Sequence, residues 1–448
     1  MRVAVLGAGY AGVTAVRQLE RRLPEGEDAP EDVELVLVDE RDHHLVQHEL
    51  HRVVRRPSLA EEVSIPLREI LDSADLLLGR VTDVDPEAGT ADLAPPQTDG
   101  RAVAADETGG IEGADDGEGG TGGEEAGDGE EEGDAVTVDR VESEWTLSFD
   151  AGVVCLGAET AFYGLPGVRE HATPLKRLHH AREIRREFLA LADAGEARVV
   201  VGGAGLSGVQ VAGELAALAR EEGLDPQVIL LEQEEQVAPR FPAKFGGTLR
   251  EELERRDVEV RTGHTVRRAT DEVVETDRGE VPYDQFVWTG GIRGGDAVGG
   301  DRSAVNRHLR LGPRTLGAGD AVKVVDADGE PAPAAAQTAV RQAPIAAENV
   351  IRLVEYDLGI DGDDVFEPRL DSYRHDSPGW AVSVGDGAVA QVGPAVFTGR
   401  TAKAVKTTVG AGYLTSVGEV HRAVDLVNQE LGIADAVRSE PDVEVVED

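Results

Sequence analysis

Two glycine runs of the same spacing constrain this chain more than any other feature. Gly7-Ala8-Gly9-Tyr10-Ala11-Gly12 and Gly203-Ala204-Gly205-Leu206-Ser207-Gly208 each close a short apolar run, residues 2–6 and 198–202, and each opens a stretch of helical periodicity. One such run carries little weight in a chain with 54 glycines. Two of them, each between a run fit for a buried parallel strand and a helix, predict two βαβ units. In such a unit the first glycine permits the tight turn, the second lets a pyrophosphate approach the backbone, and the third lets helix pack on strand. The N-terminus of the helix offers N–H groups to the phosphates. An acid is expected at the end of the next strand: residues 33–38 run into Asp39 and residues 228–231 into Glu232, where a carboxylate can accept both ribose hydroxyls. The expectation is a protein for two dinucleotides.

At 448 residues the chain has room for two or three domains with buried cores. Its formal net charge is −43, and Lys176, Lys244, Lys323, Lys403 and Lys406 are its only lysines. A surface of that kind repels itself in dilute buffer, which suits concentrated salt and argues against nucleic acid as a partner. The single cysteine, Cys155, lies in an apolar strand-like run and excludes a disulfide or a paired-cysteine redox centre within the chain. The first residues enter a strand with no signal-like apolar core, and no apolar run reaches membrane-span length. The expectation is therefore a cytoplasmic protein, at most peripheral on the cytoplasmic face of a membrane.

Residues 106–134 are rich in Gly, Glu and Asp and hold thirteen acids with no basic residue. Such a segment reads as a disordered, solvated insertion, and it leaves thirty of the excess negative charges elsewhere. Residues 76–81 before it, and 135–138 or 145–149 after it, suggest a small antiparallel meander. Beyond residue 368 strand and helix signals mix, with helical apolar spacing at Val420, Val424, Val427 and Leu431, and the acidic residues 439–448 read as frayed.

With these motifs the chain resembles the two-dinucleotide flavoproteins, and within them the single-subunit, non-proton-pumping (type II) NADH:quinone oxidoreductases. Besides the first fingerprint, the resemblance rests on residues 150–158, Val287-Trp288-Thr289-Gly290-Gly291, Leu316-Gly317-Ala318-Gly319-Asp320-Ala321, and Ala336-Gln337-Thr338-Ala339-Val340-Arg341-Gln342-Ala343. It implies an α/β fold of two Rossmann-like domains, the NADH domain inserted in the FAD domain, followed by a small α+β region. The boundaries expected are 1–173 and 292–367 for the FAD domain, 174–291 for the NADH domain, and 368–448 for a dimer- or membrane-proximal region. FAD is implied on Gly7, Gly9, Tyr10, Ala11, Gly12, Asp39, Glu40, Gly157, Gly319 and Asp320, with Asp320 on its ribityl-phosphate arm and Ala336 and Gln337 beside its ring. NADH is implied on Gly203, Gly205, Gly208, Glu232 and Gly290. Gln337 would line the quinone pocket, and Glu214 would stand near the contact of nicotinamide and flavin; these two are the candidate catalytic residues, and no metal is expected. The activity implied is hydride transfer from NADH to FAD and two-electron transfer to a quinone, in a homodimer.

The chain departs from this pattern in three places. Gln210 stands where many relatives carry a second glutamate, His48 where a proline is common, and the bulky aromatic helix that closes many relatives is missing. His44, His48 and His51 fall at i, i+4 and i+7, which would put them on one helix face; proton supply near the quinone fits them better than a metal. The rival readings are a sulfide:quinone oxidoreductase or another FAD-dependent pyridine-nucleotide reductase, and a non-catalytic NADH-binding flavoprotein that acts as a sensor. The lone Cys155 weighs against sulfide chemistry, which uses paired cysteines.

Overall fold

The computed structural model describes residues 1–23, 33–96, 136–193, 197–360, 366–377, 379–416 and 418. The acidic stretch 106–134, the helical spacing at 420–431 and the acidic end 439–448 lie outside them. Two parallel sheets carry the fold. The first has six strands in the order Thr315–Gly317, Ala151–Val154, Arg2–Leu6, Glu34–Asp39, Asp75–Leu78, Val138–Arg140. The second has five, Thr173–Pro174, Gln285–Trp288, Arg198–Gly202, Gln227–Leu231 and Val258–Arg261. Their central strands are runs of Val, Leu, Ile and Ala with both faces buried, helices covering one face and a small antiparallel sheet packing on the other. The α/β fold expected from the fingerprints is thus the one observed. The first sheet is completed by Thr315–Gly317, which follows every strand of the second, so the chain leaves the first unit, builds the second and returns.

Six helices position the site: α1 (Tyr10–Glu20), α2 (Leu50–Arg55), α3 (Leu178–Ala190), α4 (Leu206–Glu222), α5 (Ala336–Asp357) and α6 (Gly399–Ser416). α1 lies along α5, with Val13, Val16, Ala346, Ala347 and Val350 fully buried. α2 packs between α3 and α4 and so joins the two units. The last described part is an antiparallel sheet, Gly379–Val384, Gly387–Val392 and Ala395–Thr398, capped by α6. Its first turn presses on α4 at Gly213, where an added Cβ would lie 2.6 Å from the Gly385 nitrogen.

The expected meander forms in part from the residues expected, 80–81 and 145–148 among them. Leu76–Leu78 and Val138–Arg140 are parallel strands of the first sheet, and the antiparallel meander is Arg80–Asp85, Thr90–Ala94 and Trp145–Ser148. The chain changes sheets at Gly79, where an added Cβ would lie 2.6 Å from Val141. The run 76–81 reads as one strand because Leu76–Leu78 and Val81 are apolar with no proline between them, but its first half pairs with Glu34–Asp39 and its second with Thr90–Ala94.

Candidate functional site

The two fingerprints fold into matching cradles. Gly7 and Gly203 have φ of +101° and +96°, a backbone that favours glycine, and their N–H groups donate to Val38 and Leu231 at 2.7 and 2.8 Å. Gly12 and Gly208 sit so close to the turn that an added Cβ would lie 1.7 and 1.9 Å from the carbonyl oxygens of Gly7 and Gly203. The middle glycines differ from these: Gly9 and Gly205 are the N-caps of α1 and α4, and an added Cβ would meet nothing within 4 Å. Neither helix has a side-chain cap or an acid in its first turn. Each cradle therefore presents open space beside uncapped N–H groups at a helix N-terminus, which fits a dinucleotide pyrophosphate.

The acids brace the cradles. Asp39, buried at the end of its strand, accepts the Ala8 N–H at 2.7 Å and the Arg41 N–H at 2.9 Å. Glu232 accepts the Ala204 N–H at 2.8 Å and the Glu234 N–H at 3.0 Å. Each carboxylate oxygen keeps a second lone pair that a ribose hydroxyl can use. Glu40, beside Asp39, is half-buried and pairs with Arg177 at 3.2 Å and Arg41 at 3.8 Å. In the second cradle Gly290 lies against Gly203, 2.7 Å from the position of a Cβ there.

The turn Gly317-Ala318-Gly319-Asp320 brings three elements to the first cradle. Gly319 has a φ of +70°, and a Cβ on it would stand 3.1 Å from Ala11 of α1 and 3.4 Å from Ala339 of α5. Its N–H donates to the buried Gln342 side chain at 2.8 Å. Ala336 and Gln337 in the first turn of α5 thereby share a neighbourhood with Tyr10 and Ala11 in the first turn of α1 and with Asp320. The Gln337 amide donates to Ser377 at 2.9 Å, which fixes its direction from the segment before the last sheet. Gly157, with a φ of +70° and nothing within 4 Å of an added Cβ, follows the adjacent strand. The residues named from the first fingerprint, Asp39, Gly157, Gly319 and Asp320 fit FAD in kind and arrangement.

The histidine segment does not form one helix face. His44 lies in a short strand, His43–Leu45, paired with Ser64–Pro66; Gln47–Glu49, which holds His48, is a 3-10 turn, and His51 stands in the first turn of α2. The strand pairing overrides the helical spacing. His44 accepts the Tyr413 hydroxyl at 2.8 Å on Nε2 and donates from Nδ1 to the Ala8 carbonyl at 2.9 Å. Burial pushes its pKa down to about 4, against smaller opposing effects of the Ala8 carbonyl and Asp39. Tyr10 hydrogen-bonds His48 and stacks edge-on to His44 and Tyr413, with centroids 5.1 and 4.9 Å away. From His48 a buried polar chain continues: His48 to Glu49 at 3.3 Å, Glu49 to Lys406 at 2.6 Å and to Arg52 at 3.2 Å. Burial alone would raise the Glu49 pKa, yet Lys406, His48, Arg52 and His51 hold it well below the usual carboxylate range.

Glu214 lies near that chain, close enough for Arg52 and Lys406 to act on its charge. It lies nine residues, about 13 Å, along α4 from its N-cap, fully buried and 2.6 Å from Arg55 of α2. Burial raises its pKa to about 7 against the pull of Arg55. Gln210 is instead the α4 side chain that approaches His51, at 3.5 Å, and so the segment around Tyr10. Glu214, expected near the contact of nicotinamide and flavin, is in the structure a buried ion-pair partner of Arg55. Sequence spacing gave no sign of Glu49, Arg55, Lys406 or Tyr413, since the contacts of Lys406 and Tyr413 reach across 357 and 369 residues.

Comparison with known proteins agrees with this geometry. Residues 1–343 match the pyridine nucleotide-disulphide oxidoreductase family. The type II NADH:quinone oxidoreductase of Staphylococcus aureus is 23% identical over 385 residues, which cover 79% of this chain and 82% of that protein. The structure is similar to that of NDH2 from Plasmodium falciparum in complex with RYL-552, with a TM-score of 0.70 at 13% identity, covering 96% of this chain and 98% of that one. It is also similar to the sulfide:quinone oxidoreductase of Aquifex aeolicus, with a TM-score of 0.66 at 16% identity, covering 94% and 92%. The chain belongs to the pyridine nucleotide-disulphide oxidoreductase family, whose members bind FAD and NAD(P)H. It is a FAD-dependent pyridine-nucleotide oxidoreductase, distantly like the type II enzymes. Its only cysteine, Cys155, is buried and its thiol pKa is raised by burial, so the redox disulfide in the family's name has no counterpart here.

Proposed function

Taking that family membership as the premise, we propose that this protein is an NADH:quinone oxidoreductase. The observation that carries the reading is the pair of matched cradles, one of them joined by the Gly319 turn and the first turn of α5. Two nucleotide sites with one buried cysteine leave FAD as the redox group, and the likeness to the Staphylococcus aureus enzyme supplies the quinone. Bound in the first cradle, FAD supplies acceptance of a hydride and release of two electrons to an acceptor.

The chain's own residues bind, orient and exclude water. Gly7, Gly9, Tyr10, Ala11 and Gly12 with Asp39 hold the adenylate half of FAD, while Gly157, Gly319 and Asp320 address its ribityl-phosphate arm and Glu40 stands beside the adenine ribose. Gly203, Gly205, Gly208 and Gly290 receive the NADH pyrophosphate. Glu232 selects NADH, because a carboxylate facing a 2′-phosphate is repulsive. Ala336 and Gln337 line the acceptor side, with Ser377 holding the Gln337 amide in place. Tyr10 and His48, hydrogen-bonded to each other beside the first cradle, are the groups placed to hold a proton for quinone reduction. Glu214 acts through Arg55 as a positioning residue. No helix among the described residues is long and apolar enough to cross a membrane; assembly as a homodimer and peripheral membrane contact belong to the same reading.

The test is NADH oxidation in molar salt with a soluble quinone. Sustained turnover supports the reading. One round of FAD reduction without turnover on any quinone supports the sensor alternative instead.

A further inference from the structure

The chain is overwhelmingly acidic, yet one cavity gathers cations. About 90 Å³ in volume, it lies between α2, α4, α6 and the turn Gly385–Gly387, and is lined by Arg52, Arg55, Arg56, Lys403 and Lys406 against two carboxylates, Glu214 and Asp386. Two of the chain's five lysines stand here. The carboxylates nearby are already engaged. Glu49 holds Lys406 and Arg52, Glu214 and Glu221 hold Arg55, and Asp386 pairs with Arg220 and Arg256. Arg56 and Lys403 have no ion pair among the described residues. Five cations against two carboxylates leave this lining with an excess of positive charge that an anion would neutralise.

We infer that this cavity is a binding site for a phosphoryl group, held by Arg56 and Lys403 at the rim and by Arg52, Arg55 and Lys406 within. A tetrahedral oxyanion offers several acceptor oxygens to donors that converge from α2 and α6, and arginine forks suit phosphate oxygens. The volume admits one such group and not a nucleotide. Glu214 supports the assignment, since burial raises its pKa to about 7 and so weakens its negative charge near neutral pH. The consequence is mechanical. α2 leads back to His48 and Tyr10 at the first cradle, α4 begins at the second cradle, and α6 carries the Tyr413 that bonds His44. An anion here ties α2 to α6, while the Arg55–Glu214 ion pair ties α2 to α4. The site is independent of which acceptor the enzyme uses.

The phosphoryl group can come from inorganic phosphate or from a lipid headgroup, and two arms separate them. In the first, the FAD-loaded full chain is titrated with inorganic phosphate at fixed potassium chloride, following both heat of binding and thermal unfolding. Saturable binding is expected, with affinity lower by about tenfold or more in the Arg56→Gln, Lys403→Gln double variant, which loses charge-assisted donors. Neither residue serves a cradle, so the variant should retain FAD and wild-type NADH affinity. In the second arm, retention on vesicles containing phosphatidic acid but not on phosphatidylcholine alone, lost in the double variant, assigns the group to a headgroup. Phosphate binding without retention assigns it to the free ion. The inference is overturned if phosphate stabilises wild type and variant equally and in proportion to concentration, which is the behaviour of an excluded salt, and neither protein is retained on vesicles.

Discussion

The two cradles are braced alike on their N–H side and differently on their carbonyl side. Ala8 and Ala204 each donate their N–H to a buried acid at the end of the neighbouring strand. The Ala204 carbonyl then accepts a backbone N–H, from Ala238 at 2.9 Å, whereas the Ala8 carbonyl accepts a histidine, His44, at 2.9 Å. In the second cradle Thr289 also donates its hydroxyl to the carbonyls of Gly202 and Gly203 at 3.0 and 2.9 Å; the position in equivalent register on the first sheet is Cys155, whose thiol serves the core. The shape of a phosphate turn is thus set by backbone sterics and repeats faithfully. What holds the turn is free to differ, and in the first cradle it includes a titratable group tied to α6.

The largest effect should come from filling one cradle at a time. Gly9 and Gly205 have ordinary extended φ values of −72° and −67° and open space in front, so Gly9→Leu and Gly205→Leu should fold. Gly9→Leu is expected to give a colourless protein that cannot be reconstituted with FAD. Gly205→Leu should stay yellow while its KM for NADH rises by about a hundredfold, the loss of roughly 2.7 kcal/mol of phosphate contacts. If both variants lose FAD, the cradles do not serve separate nucleotides.

The next effect tests the histidine. His44 is buried and neutral, with a pKa near 4 in the folded chain against 6.5 for the free group. The unfolded state therefore binds more protons between those values, and stability falls as pH drops from 6.5 towards 4. From pH 7 to pH 5 this one group should account for about 2 kcal/mol. Burial lowers His48 and His51 in the same sense, so the difference between wild type and His44→Gln isolates the effect. Denaturant unfolding at both pH values should show a shallower loss in the variant, and FAD release on acidification should track it. An unchanged slope would mean that the carbonyl brace is not what acid breaks.

Local pattern explains which parts were legible in the sequence. Strand, glycine turn, helix start and terminal acid all lie within one βαβ unit, so Gly7 to Asp39 and Gly203 to Glu232 carry their own signal. The α/β fold followed. The buried ion pairs did not, because Glu49 needs Lys406 from far along the chain and Glu214 needs Arg55 from the other unit. Helical spacing misplaced His44, His48 and His51 because it is blind to the strand pairing of His44 with Ile65. The run 76–81 misled for the same reason.

A smaller effect distinguishes the acids. Glu232→Gln keeps an acceptor for one backbone N–H and removes the charge, so relative use of NADPH over NADH should rise by about tenfold, roughly 1.4 kcal/mol. Asp39→Asn makes the same change in the first cradle and should leave that ratio unmoved while loosening FAD. Equal wild-type rates with both nucleotides would remove Glu232 as the selector.

The smallest effect separates the two sides of the site. Gln337 begins α5, and the Gly319 turn places that helix start by the first cradle, away from Gly203, Gly205 and Glu232. Its amide is oriented by Ser377, so Gln337→Leu removes a polar group without releasing the helix, whose N-cap is Ala335. Stopped-flow reduction of the bound FAD by NADH should be nearly unchanged, while reoxidation by quinone slows by about five- to tenfold, so that kcat falls and the KM for NADH does not rise. Ser377→Ala should reproduce a weaker form of the same split, since it frees the amide without removing it. If NADH reduction slows instead and reoxidation is untouched, Gln337 faces the nicotinamide, and the contrast between an acceptor side at α5 and a nucleotide side at α4 is drawn in the wrong place.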